Sequence, residues 1–112
     1  MGVMREKLGE IMESLAYFRE NTPEQMKAFH ELLEATEKEG VLDKKTKELI
    51  SVALAVIKQC VYCIAFHVKN ALDAGATKEE ILEAAWVAVL MGGGPALMYA
   101  QYVIKALEEF GK

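Results

Sequence analysis

The sequence is poor in several residue types, and each shortage narrows what the chain can be. It holds two cysteines, two prolines, two histidines and one tryptophan in 112 residues. Two cysteines three apart, Cys60 and Cys63, cannot build the framework of a disulfide-rich secreted domain. In a reducing compartment such a pair is redox-active or metal-binding. Basic residues are outnumbered, 13 Lys and Arg against 17 Asp and Glu, for a net charge of −4. No basic run is present. That argues against nucleic acid, which needs clustered cations to displace counterions, and against an anionic membrane surface. The N-terminus, MGVMREKLGE, lacks the apolar stretch of a signal peptide, so a cytoplasmic location is expected. No flavin, haem or nicotinamide motif is visible, so no cofactor is expected.

Apolar residues, by contrast, make up 53% of the chain. So short a chain buries a modest fraction of its surface. Part of this apolar surface is therefore expected to lie against other copies in a homo-oligomer. Ala84 to Ile104 carries no charge and is long enough to span a bilayer. However, Gly92-Gly93-Gly94-Pro95 interrupts it, and two buried helices meeting at a bend explain it better. The glycines have no preceding strand and no Lys-Ser/Thr ending, so they are read as a hinge and not as a phosphate loop.

Strand signals are nearly absent, and periods near 3.6 predict an all-α fold of six helices in one domain spanning residues 1–112. A first helix, with Leu8, Ile11, Met12, Leu15 and Phe18 as its stripe, reaches Asn21. Thr22-Pro23-Glu24-Gln25 predicts a capped start for a second, with Met26, Phe29 and Leu33 inward and an end at Glu39-Gly40. Asp43 caps a third, apolar nearly all round from Leu49 to Ile57 and so expected to be central and buried. The fourth begins about Cys60 and ends at Gly75. Thr77 and Glu80 form a capping box for the fifth, and Pro95 starts the sixth, which runs to about Phe110.

The informative stretch is Glu48, then Cys60-Val61-Tyr62-Cys63, then His67. If Cys60 opens the fourth helix, Cys60 and Cys63 share a face at i, i+3, and His67 follows Cys63 at i+4 on that face. The third helix should return antiparallel and bring Glu48 towards His67. A thiol reacts as thiolate, and a helix N-terminus, an imidazole and a CxxC partner each favour ionisation. Peroxide converts a thiolate to sulfenic acid, which a second nearby thiol resolves to a disulfide. Glu48 would orient His67 and pass protons through it. Redox CxxC helices often use the first, more exposed cysteine. Proximity to His67 favours Cys63 as the nucleophile and Cys60 as the resolver.

These residues resemble the AhpD-like alkylhydroperoxidases of the carboxymuconolactone decarboxylase superfamily. The shared pattern is Glu48, twelve residues to the CxxC pair, then three residues to His67. The resemblance spans about 23–110, with residues 1–21 an additional N-terminal helix. It implies a six-helix orthogonal bundle assembled as a trimer or hexamer. It further implies a peroxide-reacting Cys63, a resolving Cys60 and a Glu48–His67 proton relay. The reductant it suggests is a dithiol, a thioredoxin-like or lipoyl-bearing protein. The best-known peroxidase members carry a second histidine between the cysteines; Tyr62 stands there here. A lyase acting on an anionic lactone is the alternative within the superfamily, and a structural or interaction protein the alternative outside it.

The remaining residues have plainer readings. A structural zinc site wants four protein ligands, and beyond the cysteines only His67 and the distant His30 offer soft donors, so no metal is expected. His30 is read as surface or packing. Tyr62 is read as core or pocket lining. The runs about Leu54 and Val87 are read as core and subunit interface, and the six methionines as packing.

Overall fold

The computed structural model describes residues 2–111. Six helices follow in order: α1 (Val3–Asn21), α2 (Pro23–Glu37), α3 (Lys44–Ile57), α4 (Val61–Asp73), α5 (Lys78–Gly92) and α6 (Gly94–Phe110). Among the described residues there is no strand. The helix α3 packs on both α4 and α5, and α6 closes the far side against α4 and α5. Val52, Val56, Ile64, Val68, Ile81 and Val103 meet in the centre with no exposure to solvent. Alanines at 55, 65, 71, 85, 88 and 106 lie between them and let the helix axes approach closely.

Local signals account for most boundaries. The Asp43 carboxylate accepts the Thr46 N–H at 2.8 Å and starts α3. Thr77 and Glu80 cap each other's backbone N–H groups, at 3.1 and 2.9 Å, and start α5. The uncharged run is indeed two helices. They meet at Gly93, whose φ of 71° is a left-handed conformation that a side chain resists. Beside it, a Cβ on Gly92 would stand 2.8 Å from both Ala96 Cβ and Ile57 Cδ1; the isoleucine end can turn aside, but the Ala96 methyl is fixed to α6, so the bend favours glycine. No described helix is long and apolar enough to cross a membrane.

Three expectations are corrected. Thr22 does not cap α2: its hydroxyl donates back to the Phe18 carbonyl at 2.9 Å, and no side-chain cap bond forms. The α1–α2 junction is so tight that Thr22 also serves as the last cap of α1. Next, α3 is central but not buried all round. Ile50, Leu54 and Ile57 are 45%, 57% and 39% exposed, because α4 and α5 cover only two of its sides. Its fully enclosed positions are Val52, Val56 and, against expectation for a charged residue, Glu48. Finally, the stripes of α1 and α2 are not core: Met12, Phe18 and Phe29 are exposed, while Leu8, Ile11, Leu15, Met26 and Leu33 are half-buried. The helix α1 leans on α4, α2 leans on α1 and α3, and a hollow is left between them and α4. The start of α1 is fixed from far along the chain. Gly2 has no side chain to cap with, and the Glu109 carboxylate accepts the N–H groups of Met4 and Arg5, at 3.2 and 2.8 Å.

Candidate active site

The site is built at the junction of α3 and α4. The helix α3 ends by bonding Gln59 N–H to the Val56 carbonyl and Cys60 N–H to the Ala55 carbonyl, both at 3.1 Å. This closure demands a left-handed residue, and Gln59 adopts φ 57° without being glycine. The chain turns within three residues, so Cys60 both finishes α3 and caps α4. Its sulfur accepts the Cys63 N–H at 3.2 Å. Thus Cys60 is the N-cap and not the first helical residue, one position outside the expected start. Cys60 and Cys63 are joined as a disulfide, with Cα atoms 5.2 Å apart. When reduced, a sulfur at this cap faces unpaired N–H groups and the positive end of the helix dipole, which favour thiolate.

One turn beyond Cys63, the His67 ring reaches across to α3. Its Nδ1 lies 2.8 Å from Glu48 Oε1. An ionised carboxylate only accepts, so Nδ1 carries the proton and Nε2 is left free to act as a base. The Phe66 ring stands edge-on to the imidazole, 5.1 Å between centroids. The Glu48 side chain is completely enclosed. The Lys44 ammonium, one turn earlier on α3, lies 3.8 Å from its other oxygen, Oε2. That oxygen is buried and has no conventional donor.

A second acid completes the cluster, and the sequence reading did not single it out. Glu37, the last residue of α2, brings a carboxylate oxygen 4.0 Å from His67 Nδ1. Burial first, and the charge of Glu48 second, hold its carboxyl above the usual glutamate range. One clue was available: an acid at the final position of a helix opposes the dipole and has no local reason to be there. Glu37, Glu48 and His67 offer ligand-type atoms all within 4.8 Å of one another, the one such group among the described residues.

Cys63 and His67 also form the wall between two hollows. The larger, about 290 Å³, runs under α1 and α2 and is lined by Ile11, Leu15, Met26, Phe29, Leu33 and Phe66. The smaller, about 190 Å³, is lined by Ser51, Leu54, Ala55 and Lys58. Tyr62 lines the larger hollow and donates its hydroxyl to Glu10 of α1 at 2.7 Å. It is therefore wall and latch, and stands half open to water. His30 sits exposed at the rim of the same hollow, 3.5 Å from Glu34. The sequence-expected group of Cys60, Cys63, His67 and Glu48 is thus brought together, Tyr62 lies at its edge, and His30 lies apart from the relay.

The sequence profile of the carboxymuconolactone decarboxylase family matches residues 23–106. The chain belongs to the carboxymuconolactone decarboxylase family. Its fold is that of a family protein from Legionella pneumophila, at 50% identity and a TM-score of 0.94 over 97% of each chain. A Thermotoga maritima member, with a suggested part in an antioxidative response, matches at 31% identity and a TM-score of 0.82. That match covers 92% of this chain and 88% of the other. The alkyl hydroperoxide reductase AhpD of Mycobacteroides abscessus is 40% identical over 52 residues, 46% of this chain and 30% of that protein. The family match begins at α2, so α1, with Ile11 and Leu15 of the hollow's wall, lies outside the matched segment.

Proposed function

We propose that this protein is a cysteine-based hydroperoxidase that reduces organic hydroperoxides through Cys63. The observation that carries this reading is the alignment of Cys63, His67 and Glu48 on the wall of an apolar hollow, with Cys60 within bonding distance. The antioxidative and hydroperoxide-reducing descriptions of two relatives support it. The Cys63 thiolate attacks one peroxide oxygen, and the O–O bond breaks. The alcohol leaves with a proton relayed by His67, and Cys63 becomes a sulfenic acid. The Cys60 thiol then attacks that sulfur, water leaves, and the disulfide forms. An external dithiol, thioredoxin-like or lipoyl-bearing, returns two electrons and two protons.

Cys63 is assigned the attack because it lines both hollows together with His67, whereas Cys60 is engaged in capping α4. A lyase working on an anionic lactone would have to hold that anion beside Glu37 and Glu48 within apolar walls, and neither favours it. Stoichiometric cumene hydroperoxide added to the reduced protein, followed by mass spectrometry, tests the proposal. The expected product is one intramolecular disulfide per chain, absent in Cys63→Ser. Thiols that survive this treatment unchanged would refute it.

Assembly of several copies is part of the same reading. Trp86, Leu90, Met91 and Met98 on α5 and α6 are 60%, 81%, 79% and 55% exposed. Trp86 and Met98 line an apolar groove of about 260 Å³ between those helices. An uncovered patch of this kind is costly in water and is the expected contact between copies.

A further inference from the structure

The proposed relay leaves one polar atom without a partner. Glu48 is wholly enclosed, and its Oε1 is taken by His67 at 2.8 Å, yet Oε2 has no hydrogen-bond donor. A buried acceptor left unpaired is costly, and more so when it is charged. The Lys44 ammonium, at 3.8 Å, is too far for a hydrogen bond, and its side chain is half exposed. Among the described residues, the remaining member of the cluster is Glu37, itself an acceptor when ionised.

We propose that Glu37 is a positioning residue that carries a proton and donates it in a hydrogen bond to Glu48 Oε2, fixing Glu48 as the charged acceptor of His67. Three features of the fold converge on this arrangement. Glu37 is the last residue of α2, where the helix dipole disfavours a negative charge and the last turn has no basic residue. Its side chain is 18% exposed, so it is mostly desolvated. It stands beside a second carboxylate, and two adjacent acids do not both ionise readily. The raised carboxyl of Glu37 is consistent with these. The other charged groups facing the cluster are Lys44 from α3, Lys58 across the smaller hollow, and the His67 ring. Lys47 is turned away, its ammonium held by the Thr36 and Lys38 carbonyls at 2.7 Å. With Lys44 already supplying positive charge, one shared proton suffices to neutralise the second acid. Glu37 thus acts on sulfur only through Glu48 and His67.

The inference rests on the hydroperoxidase reading for its purpose, but its test does not need turnover. Infrared spectra of the folded protein should show a protonated carboxyl band that persists above the pH at which ordinary glutamates have ionised. Glu37→Gln should remove that band. Iodoacetamide alkylation of Cys63, measured across pH in reduced protein on a Cys60→Ser background, reads the effect on sulfur. Glu37→Ala should slow it by about tenfold, the equivalent of about 1.4 kcal/mol. Glu37→Gln, which still offers an N–H to Oε2, should restore most of that loss. The inference is overturned if the band survives Glu37→Gln, if the wild type lacks it, if Ala matches the wild type, or if Gln is as slow as Ala. Should peroxide prove unreactive while the band and alkylation patterns hold, the hydroperoxidase reading falls and the Glu37 assignment stands.

Discussion

Glu48→Gln separates what the relay does for chemistry from what it does for the fold. The substitution keeps the side-chain volume in a site with no spare room, since Glu48 is 0% exposed. An amide oxygen can still accept the His67 Nδ1 proton across the same 2.8 Å. What disappears is the negative charge. A hydrogen bond to a charged group contributes about 1.5–3 kcal/mol, and one between neutral groups about 0.5–1.5. The difference, about 1–1.5 kcal/mol, is lost where His67 gains positive charge as it takes a proton. That amounts to about a tenfold fall in the rate at which Cys63 reacts. Stability should move the other way or hardly at all. An ionised carboxylate in a closed site carries a desolvation cost that the neutral amide avoids, and this offsets the weaker bond. Denaturant unfolding gives the stability, and stopped-flow oxidation of the reduced protein by cumene hydroperoxide gives the rate. Wild-type reactivity in a folded Glu48→Gln protein would refute the role assigned to the carboxylate. Glu48→Ala is the harsher comparison: it also leaves a void and an unpaired imidazole, so loss of fold and loss of rate are expected together.

The remaining expectations concern pH and assembly. Glu37 sits above its ordinary value of 4.5, so the folded protein holds this proton more tightly than the unfolded chain does. Its contribution to stability is therefore complete below 4.5 and is lost as pH rises through the raised folded value. Glu37→Gln should flatten that decline in a series of melting curves, and a decline identical to that of the wild type would count against it. Asp43 and Glu80 have the opposite sign. The Thr46 hydroxyl and N–H hold Asp43 low, and the Thr77 N–H and the Lys45 ammonium hold Glu80 low, so their contributions are present above 3.8 and 4.5 and fall away in acid for wild type and variant alike. On the α5–α6 face, Leu90→Glu places a charge on an 81% exposed apolar position. If copies associate through this face as proposed, it should lower the mass seen by light scattering while leaving helical content unchanged; an unaltered mass would count against this face as their contact.

Much of this architecture can be read in the sequence because its signals are local. Asp43, Thr77 with Glu80, and the glycine bend each mark a boundary through chemistry contained within a few residues. The Glu48, Cys60, Cys63 and His67 group is legible for a related reason. Its members lie on two consecutive helices joined by a three-residue turn, so spacing along the chain nearly fixes spacing in the fold. Legibility ends where contacts depend on helices far apart in sequence. Glu37 reaches the cluster because α2 packs on α3 at an angle that no local pattern encodes. Glu109 caps α1 from the other end of the chain. The stripes of α1 and α2 have the period of core helices, yet they enclose a hollow. Periodicity states which face turns inward, and not whether anything fills the space there. The apolar circumference of α3 misled for the same reason, since apolar residues on an exposed face such as that of Leu54 carry the same pattern as buried ones.

The most direct test of the account is to trap the sulfur acid at the moment it forms. Reduced Cys60→Ser protein, treated with one equivalent of cumene hydroperoxide and a dimedone probe, should carry the adduct on Cys63 in peptide mass spectra. The reciprocal Cys63→Ser protein should remain unlabelled at Cys60. Labelling at Cys60 alone, or at neither sulfur, would contradict the claim that Cys63, served by His67 and Glu48, is where peroxide is struck.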